Sequence, residues 1–183
     1  MPGVRIPGER WLRHGLGSSL RGLPTNLDIR PAAPPEFPAV ADLCVAAYAP
    51  FVSGDSHYVA ELRDVARRAA EAQLLVAADG ARVLGTVTFV PDGGPLGEIA
   101  APDETEFRML AVDPSAQGRG IGTALLQRVV DASGGRAGIV CSSLPSMRAA
   151  HAIYERLGFT RAPERDWSPL PGVRLLAFTL SLR

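Results

Sequence analysis

Apolar side chains recur along this chain at two periods, and the switches between them mark out the elements. Leu27 to Arg30 reads as a short strand. Phe37, Val40, Cys44, Ala47 and Tyr48 then return at three- and four-residue steps, which predicts an amphipathic helix over Glu36–Tyr48 with Pro35 near its start. Ala49–Ser56 breaks the pattern, and Ser56 is placed to cap a second helix, His57–Ala72, with Tyr58, Leu62, Val65, Ala66 and Ala69 on one face. Leu74–Ala78 and Val83–Val90 are β-rich runs joined by Asp79-Gly80, a tight-turn signal, so they form a hairpin. Pro91–Asp103 is a long loop of the kind that often carries function. A buried strand, Phe107–Val112, stops at Asp113-Pro114, and a helix follows from the glycines after it to about Ala132, where Ser133-Gly134-Gly135 ends it. Ala137–Cys141 is a further strand. Ser146 is a candidate N-cap for a helix whose inner face carries Met147, Ala150, Tyr154 and Leu157, and Gly158 closes it. Phe159–Arg161 begins a strand, Ala162–Gly172 reads as irregular, and Val173–Leu180 is the final strand. The pattern is that of one α/β domain over residues 26–183, a sheet of about six or seven strands with helices on both faces. Residues 1–25 show no sustained period and read as a flexible N-terminal extension.

Composition narrows the function classes. Among 183 residues, 19 basic and 19 acidic side chains cancel, which argues against a general nucleic-acid binder. No apolar run reaches the length that spans a membrane, and the N-terminus lacks the apolar core of a signal peptide, so a cytoplasmic protein without membrane partners is expected. Cys44 and Cys141 both sit in apolar runs and read as buried free thiols. Three scattered histidines offer no metal-ligand spacing, and no metal is expected.

The chemistry concentrates in Gln117-Gly118-Arg119-Gly120-Ile121-Gly122-Thr123. Closely spaced glycines let the backbone approach a ligand, and a helix that starts there leaves free N–H groups and a positive dipole end, which together make an anion site. A P-loop needs a lysine, and the chain has none. A dinucleotide fingerprint needs different glycine spacing early in a βαβ unit. A loop for the pyrophosphate of coenzyme A and an ordinary glycine turn before a helix remain.

Gln117-x-x-Gly120-x-Gly122, after the strand Met109–Val112, resembles the Q/R-x-x-G-x-G/A signature of the GNAT superfamily of acyl-CoA-dependent N-acyltransferases. Downstream, Ser146-x-x-Ala149-x-x-x-x-Tyr154-Glu155-x-x-Gly158-Phe159 is similar to that family's second motif, with Ser146 where the family often has Asn. The resemblance covers about Leu27 to Leu182. It implies two splayed parallel central strands, Phe107–Val112 and Ala137–Cys141, holding acetyl-CoA as co-substrate between them. It further implies pantetheine contacts from the backbone of Leu110, Ala111 and Val112, pyrophosphate contacts from Gln117, Gly118, Arg119, Gly120, Ile121, Gly122 and Thr123, and contacts from Ser146, Ala149 and Tyr154 on the opposite wall. An N–H near Leu110 or Ala111 would polarise the thioester carbonyl.

The implied reaction is N-acetyl transfer to a primary amine by direct attack in a ternary complex. Tyr154 is the candidate acid for the leaving thiolate and Glu106 the candidate base, with Glu104 and Glu98 as neighbouring carboxylates. The substrate mouth is expected from Ala49–Ser56, Pro91–Asp103 and Ala162–Gly172, with Tyr48, Phe51, Glu98 and Trp167 lining it. The acceptor stays open between a small molecule and a protein, and so does a homodimer. A non-catalytic acyl-CoA-binding module of the same fold is the competing reading.

Overall fold

The computed structural model describes residues 27–54 and 56–183; the extension expected over residues 1–25 lies outside the described residues. In chain order the elements are β1 (Leu27–Pro31), α1 (Phe37–Tyr48), α2 (His57–Arg63), α3 (Val65–Glu71), β2 (Gln73–Asp79), β3 (Arg82–Val90), β4 (Glu104–Val112), α4 (Ile121–Ala132), β5 (Gly138–Ser143), α5 (Arg148–Arg156), β6 (Thr160–Arg161), β7 (Trp167–Leu170) and β8 (Val173–Ser181). The sheet runs β1-β2-β3-β4-β5-β8-β6, and β7 adds to β8 as an eighth strand. Every pairing is antiparallel except β4 with β5.

Strand alternation divides the core between the two faces. Leu74 and Val76 of β2 turn to one face and pack with Val40 and Cys44 of α1, Leu62 of α2 and Val65 of α3. Leu75 and Ala77 turn to the other and pack with Leu125 of α4, Tyr154 of α5, Phe107, Ile139 and Phe178. Helices therefore cover both faces, as the sequence pattern requires. Both cysteines are free and buried.

Three local expectations are corrected. The single helix expected over residues 57–72 is broken at Asp64, whose backbone leaves the helix (φ −79°, ψ 62°) and whose carboxylate accepts the Arg67 N–H at 3.3 Å. An aspartate that caps a new helix competes with continuation of the old one. The last helix begins one residue later than Ser146 would set it: Met147 is the N-cap position, and the Arg148 N–H bonds the Ser146 carbonyl rather than its hydroxyl. The expected irregular stretch 162–172 contains β7, a short strand whose two ends pair with Leu175 and Val173.

Two features of β4 set up the site. First, β4 pairs with β5 only across residues 104–106 opposite 138–140, so from Phe107 onward its β5-facing edge has no strand partner. Second, the β3 register skips between Thr86, opposite Ala111, and Thr88, opposite Arg108. Two residues of β4 thus oppose Val87, which is a β-bulge, and Met109 within it holds φ 53°, a left-handed backbone rare outside glycine. The extra residue changes which face the side chains meet. Phe107 and Leu110, three apart, reach the same core, while Met109 and Ala111 reach the other.

Candidate acyl-CoA site

The open edge of β4 forms one wall of a cleft of about 490 Å³. Leu110, Ala111 and Val112 line that wall. Gln117, Gly118, Gly120, Ile121, Gly122 and Thr123 line its end, and Met147, Ala149, Ala150 and Ile153 line the α5 side. The end wall folds as it does because its glycines take conformations other residues resist: Gly118 stands at φ 75° and Gly120, the N-cap of α4, at φ 81°. Gly120 has no side chain to cap the helix, so the first-turn N–H groups of α4 are left for a ligand. Asp113 begins the approach to the loop by accepting the Ser115 N–H at 2.8 Å, and Arg82 ties it back to β3 at 2.9 Å.

Of the residues named from the sequence, Leu110, Ala111, Val112, Gln117, Gly118, Gly120, Ile121, Gly122, Thr123 and Ala149 therefore come together around one cleft. Arg119 is half-buried between the two glycines and Ser146 is exposed; neither lines the cleft. Tyr48 and Phe51 line its mouth as expected, whereas Glu98 and Trp167 do not, Trp167 being held in the β7–β8 ribbon. Sequence reasoning missed Arg156, the one cation in the lining among the described residues. It follows Ala149 by seven positions on α5, so helical spacing was the available signal.

Tyr154 is 4% exposed and lies just behind the cleft, its ring edge-on to Phe107 at 5.6 Å and to Phe178 at 5.2 Å. Ser143 and Cys141 are its polar neighbours, and Ser143 Oγ in turn sits 3.2 Å from His151 Nε2. Burial pushes the Tyr154 phenol well above its ordinary range, and Cys141 beside it adds to this.

Three carboxylates flank β4, in three different conditions. Glu106 is fully buried: Oε2 accepts the N–H groups of Glu98, Ile99 and Ala100 at 2.9, 3.0 and 3.1 Å, while buried Oε1 has no protein partner. Glu104 is bound by Arg165 at 2.7 and 2.9 Å, which holds its carboxyl below the usual range. Glu98 exposes its backbone, but its side chain is only 22% exposed and meets Arg108 at 2.5 Å. Loss of water raises its carboxyl to about 7; Arg108 pulls the other way, and Glu106 and Glu61 reinforce the rise. Among the described residues no group of three His, Cys, Asp or Glu side chains is placed to hold a metal ion.

A sequence model of the acetyltransferase (GNAT) domain matches residues 70–161, half of the chain, which takes in β4, the glycine loop and α5. This chain belongs to the GNAT acetyltransferase family. The GNAT domain here is 39% identical over 83 residues to the N-alpha-acetyltransferase RimI of Mycobacterium tuberculosis, covering 45% of this chain and 51% of that protein. It is 35% identical over 91 residues to the N-acetylaspartate synthetase of Danio rerio, covering 46% of this chain and 32% of that protein. The chain thus spans about half the length of one relative and a third of the other. A Salmonella typhimurium structure solved with its cofactor acetyl-CoA shares the fold, with a TM-score of 0.62 and 21% identity over 87% of this chain and 95% of that one.

Proposed function

We propose that this GNAT domain transfers an acetyl group from acetyl-CoA to a primary amine, by direct attack within a ternary complex in the cytoplasm. The observation that carries the reading is the unpaired edge of β4 running into a glycine loop at a helix start. A strand edge supplies N–H and C=O groups to an extended amide-bearing arm, as an added strand would. The loop supplies donors and a dipole for a pyrophosphate. Acetyl-CoA, when bound, brings an activated thioester; the chain's own groups do the rest. The bulge at Met109 interrupts the regular ladder beside Leu110, whose N–H would polarise the thioester carbonyl. Tyr154, kept protonated by burial, serves as a proton donor and not as a base. The names of the two relatives, an N-alpha-acetyltransferase and an N-acetylaspartate synthetase, support nitrogen as the acceptor atom.

For the base we favour Glu98 over Glu106. Glu106 places one oxygen on three N–H groups and anchors the loop that carries Glu98; Arg165 holds the Glu104 carboxyl below its usual range, whereas Glu98 is raised even with Arg108 at 2.5 Å. Glu98 combines a partly open side chain with a carboxyl near 7, poised to take a proton at neutral pH. A base must be ionised to act, so kcat/KM is expected to rise as pH increases through about 7. Glu98→Gln is expected to remove that limb and to lower kcat/KM about a hundredfold. A profile that keeps its limb in the variant assigns the base elsewhere.

The test of the reaction is thiol release from acetyl-CoA over a panel of primary amines, with acetyl-CoA binding followed by calorimetry. No acyl-CoA binding would end the proposal. Binding without turnover on any amine would favour a binding module of the same fold.

A further inference from the structure

Arg68 is 2% exposed, and among the described residues no carboxylate lies within ion-pair distance of it. Its guanidinium donates from Nη2 to the Leu62 carbonyl at 2.7 Å and to Cys44 Sγ at 3.6 Å, and from Nη1 to Thr88 Oγ1 at 3.3 Å. Nε is buried without a partner. The Leu62 carbonyl, at the C-terminal end of α2, offsets part of the charge through the helix dipole. A buried cation with only neutral acceptors is nevertheless an expensive arrangement, and the usual remedy is an anion.

The structure offers room for one. Arg68 lines a second cavity, of about 180 Å³, together with Glu61, Asp64, Arg67, Leu96 and Met109. His57 stands exposed among the same lining residues. The cavity meets β4 at Met109, and the acyl-CoA cleft meets it at Leu110, the next residue along the bulge. The two spaces therefore approach adjacent residues of the same strand. The charges are arranged unevenly. Arg68 is enclosed, while the carboxylates of Glu61 and Asp64 are more exposed, and Glu61 lies close enough to Glu98 to raise its carboxyl. Arg108 takes up Glu98 at 2.5 Å and stands 3.9 Å from Glu61, so Glu61 and Asp64 are the carboxylates the cavity presents; with a guanidinium inside, they match a molecule that carries an anionic and an ammonium group a short distance apart.

We propose, resting on the acetyl-transfer reading above, that the acceptor is a free α-amino acid whose carboxylate is held by Arg68. Its ammonium faces Glu61 and Asp64, the two carboxylates of the cavity lining, and loses a proton to Glu98 before attack. Arg68 acts as a specificity residue and leaves the thioester chemistry to β4 and α5.

The experiment compares L-amino acids with their carboxamides, and with a peptide bearing a free N-terminus, on the full chain. Binding is measured by calorimetry and turnover by thiol release from acetyl-CoA. The expected result is a preference of about a hundredfold or more for the free carboxylate, the size that goes with leaving a buried charge unpaired. Arg68→Met is expected to erase that preference with acetyl-CoA affinity unchanged, and Arg68→Lys to restore part of it. Equal handling of acids and amides by the native chain, or a preference for the peptide, overturns the proposal while acetyl transfer stands, and needs no variant. A preference that survives in Arg68→Met also overturns it. Amino-acid binding that disappears in Arg68→Met, with no turnover on any amine, supports the carboxylate site while acetyl transfer fails. Absence of amino-acid binding in the native chain overturns the site whatever the enzyme does.

Discussion

Gly120→Glu loses acetyl-CoA affinity by about a thousandfold or more, on the order of 4 kcal/mol of binding free energy. Two effects add. Gly120 is the N-cap of α4 and holds φ 81°, where a side chain costs roughly 1–2 kcal/mol. The new carboxylate also stands where the helix start and the loop N–H groups would receive a phosphate, so like charges meet and the donors are occupied. The comparison variant is Gly134→Glu, just past the far end of the same helix, where an added Cβ has its nearest neighbour 3.8 Å away and φ is ordinary. Calorimetry with acetyl-CoA separates the two variants: tight binding should persist in the second and vanish in the first. Persistence of tight binding in Gly120→Glu would remove the loop from the phosphate role.

Tyr154→Phe lowers kcat by about a thousandfold with the acetyl-CoA dissociation constant close to native, within the range a positioned acid contributes. The ring stays, so its packing on Phe107 and Phe178 is preserved. Only the hydroxyl leaves, beside Ser143 and Cys141, so the fold is expected to be kept. A thermal melt within a few degrees of native shows that the fold is kept. Because burial raises the phenol, Tyr154 stays protonated through neutral and mildly alkaline pH, and no descending limb from it should appear there. Equal decreases in binding and turnover would mark Tyr154 as a packing residue. Unchanged turnover would take it out of the chemistry altogether.

The parts of the site legible in the sequence are those where backbone geometry restricts residue choice. Gly118 and Gly120 both adopt positive φ, and that requirement leaves its mark as glycine. Tyr154 was named from its place in the second motif, and helical spacing put it on the inner face of α5, where it is buried. The fold followed from the same periodicities, since the hairpin at Gly80 and the two apolar faces of β2 depend on local pattern alone. What escaped depends on distant partners. Nothing local distinguishes Glu106, with three N–H groups folded onto it from the preceding loop, from Glu104, paired with Arg165 sixty-one residues away. Arg68 sits three positions after Val65 and was not singled out in the sequence; the break at Asp64 and the Leu62 carbonyl show why it goes inside. Met147 displaced Ser146 at the helix start because the turn from Leu144 closes on the Met147 N–H, a bond that propensity does not foretell.

The unpaired edge of β4 also bears on how long the protein survives. Backbone groups that lack a strand partner in the free chain gain one only when a ligand lies along them, so ligand and fold are thermodynamically linked. At a hundred times its dissociation constant, a ligand that binds only the folded state adds about 2.7 kcal/mol to stability. Resistance to proteolysis would then follow the acetyl-CoA concentration, and the population of the protein would report on the metabolic supply of its own substrate.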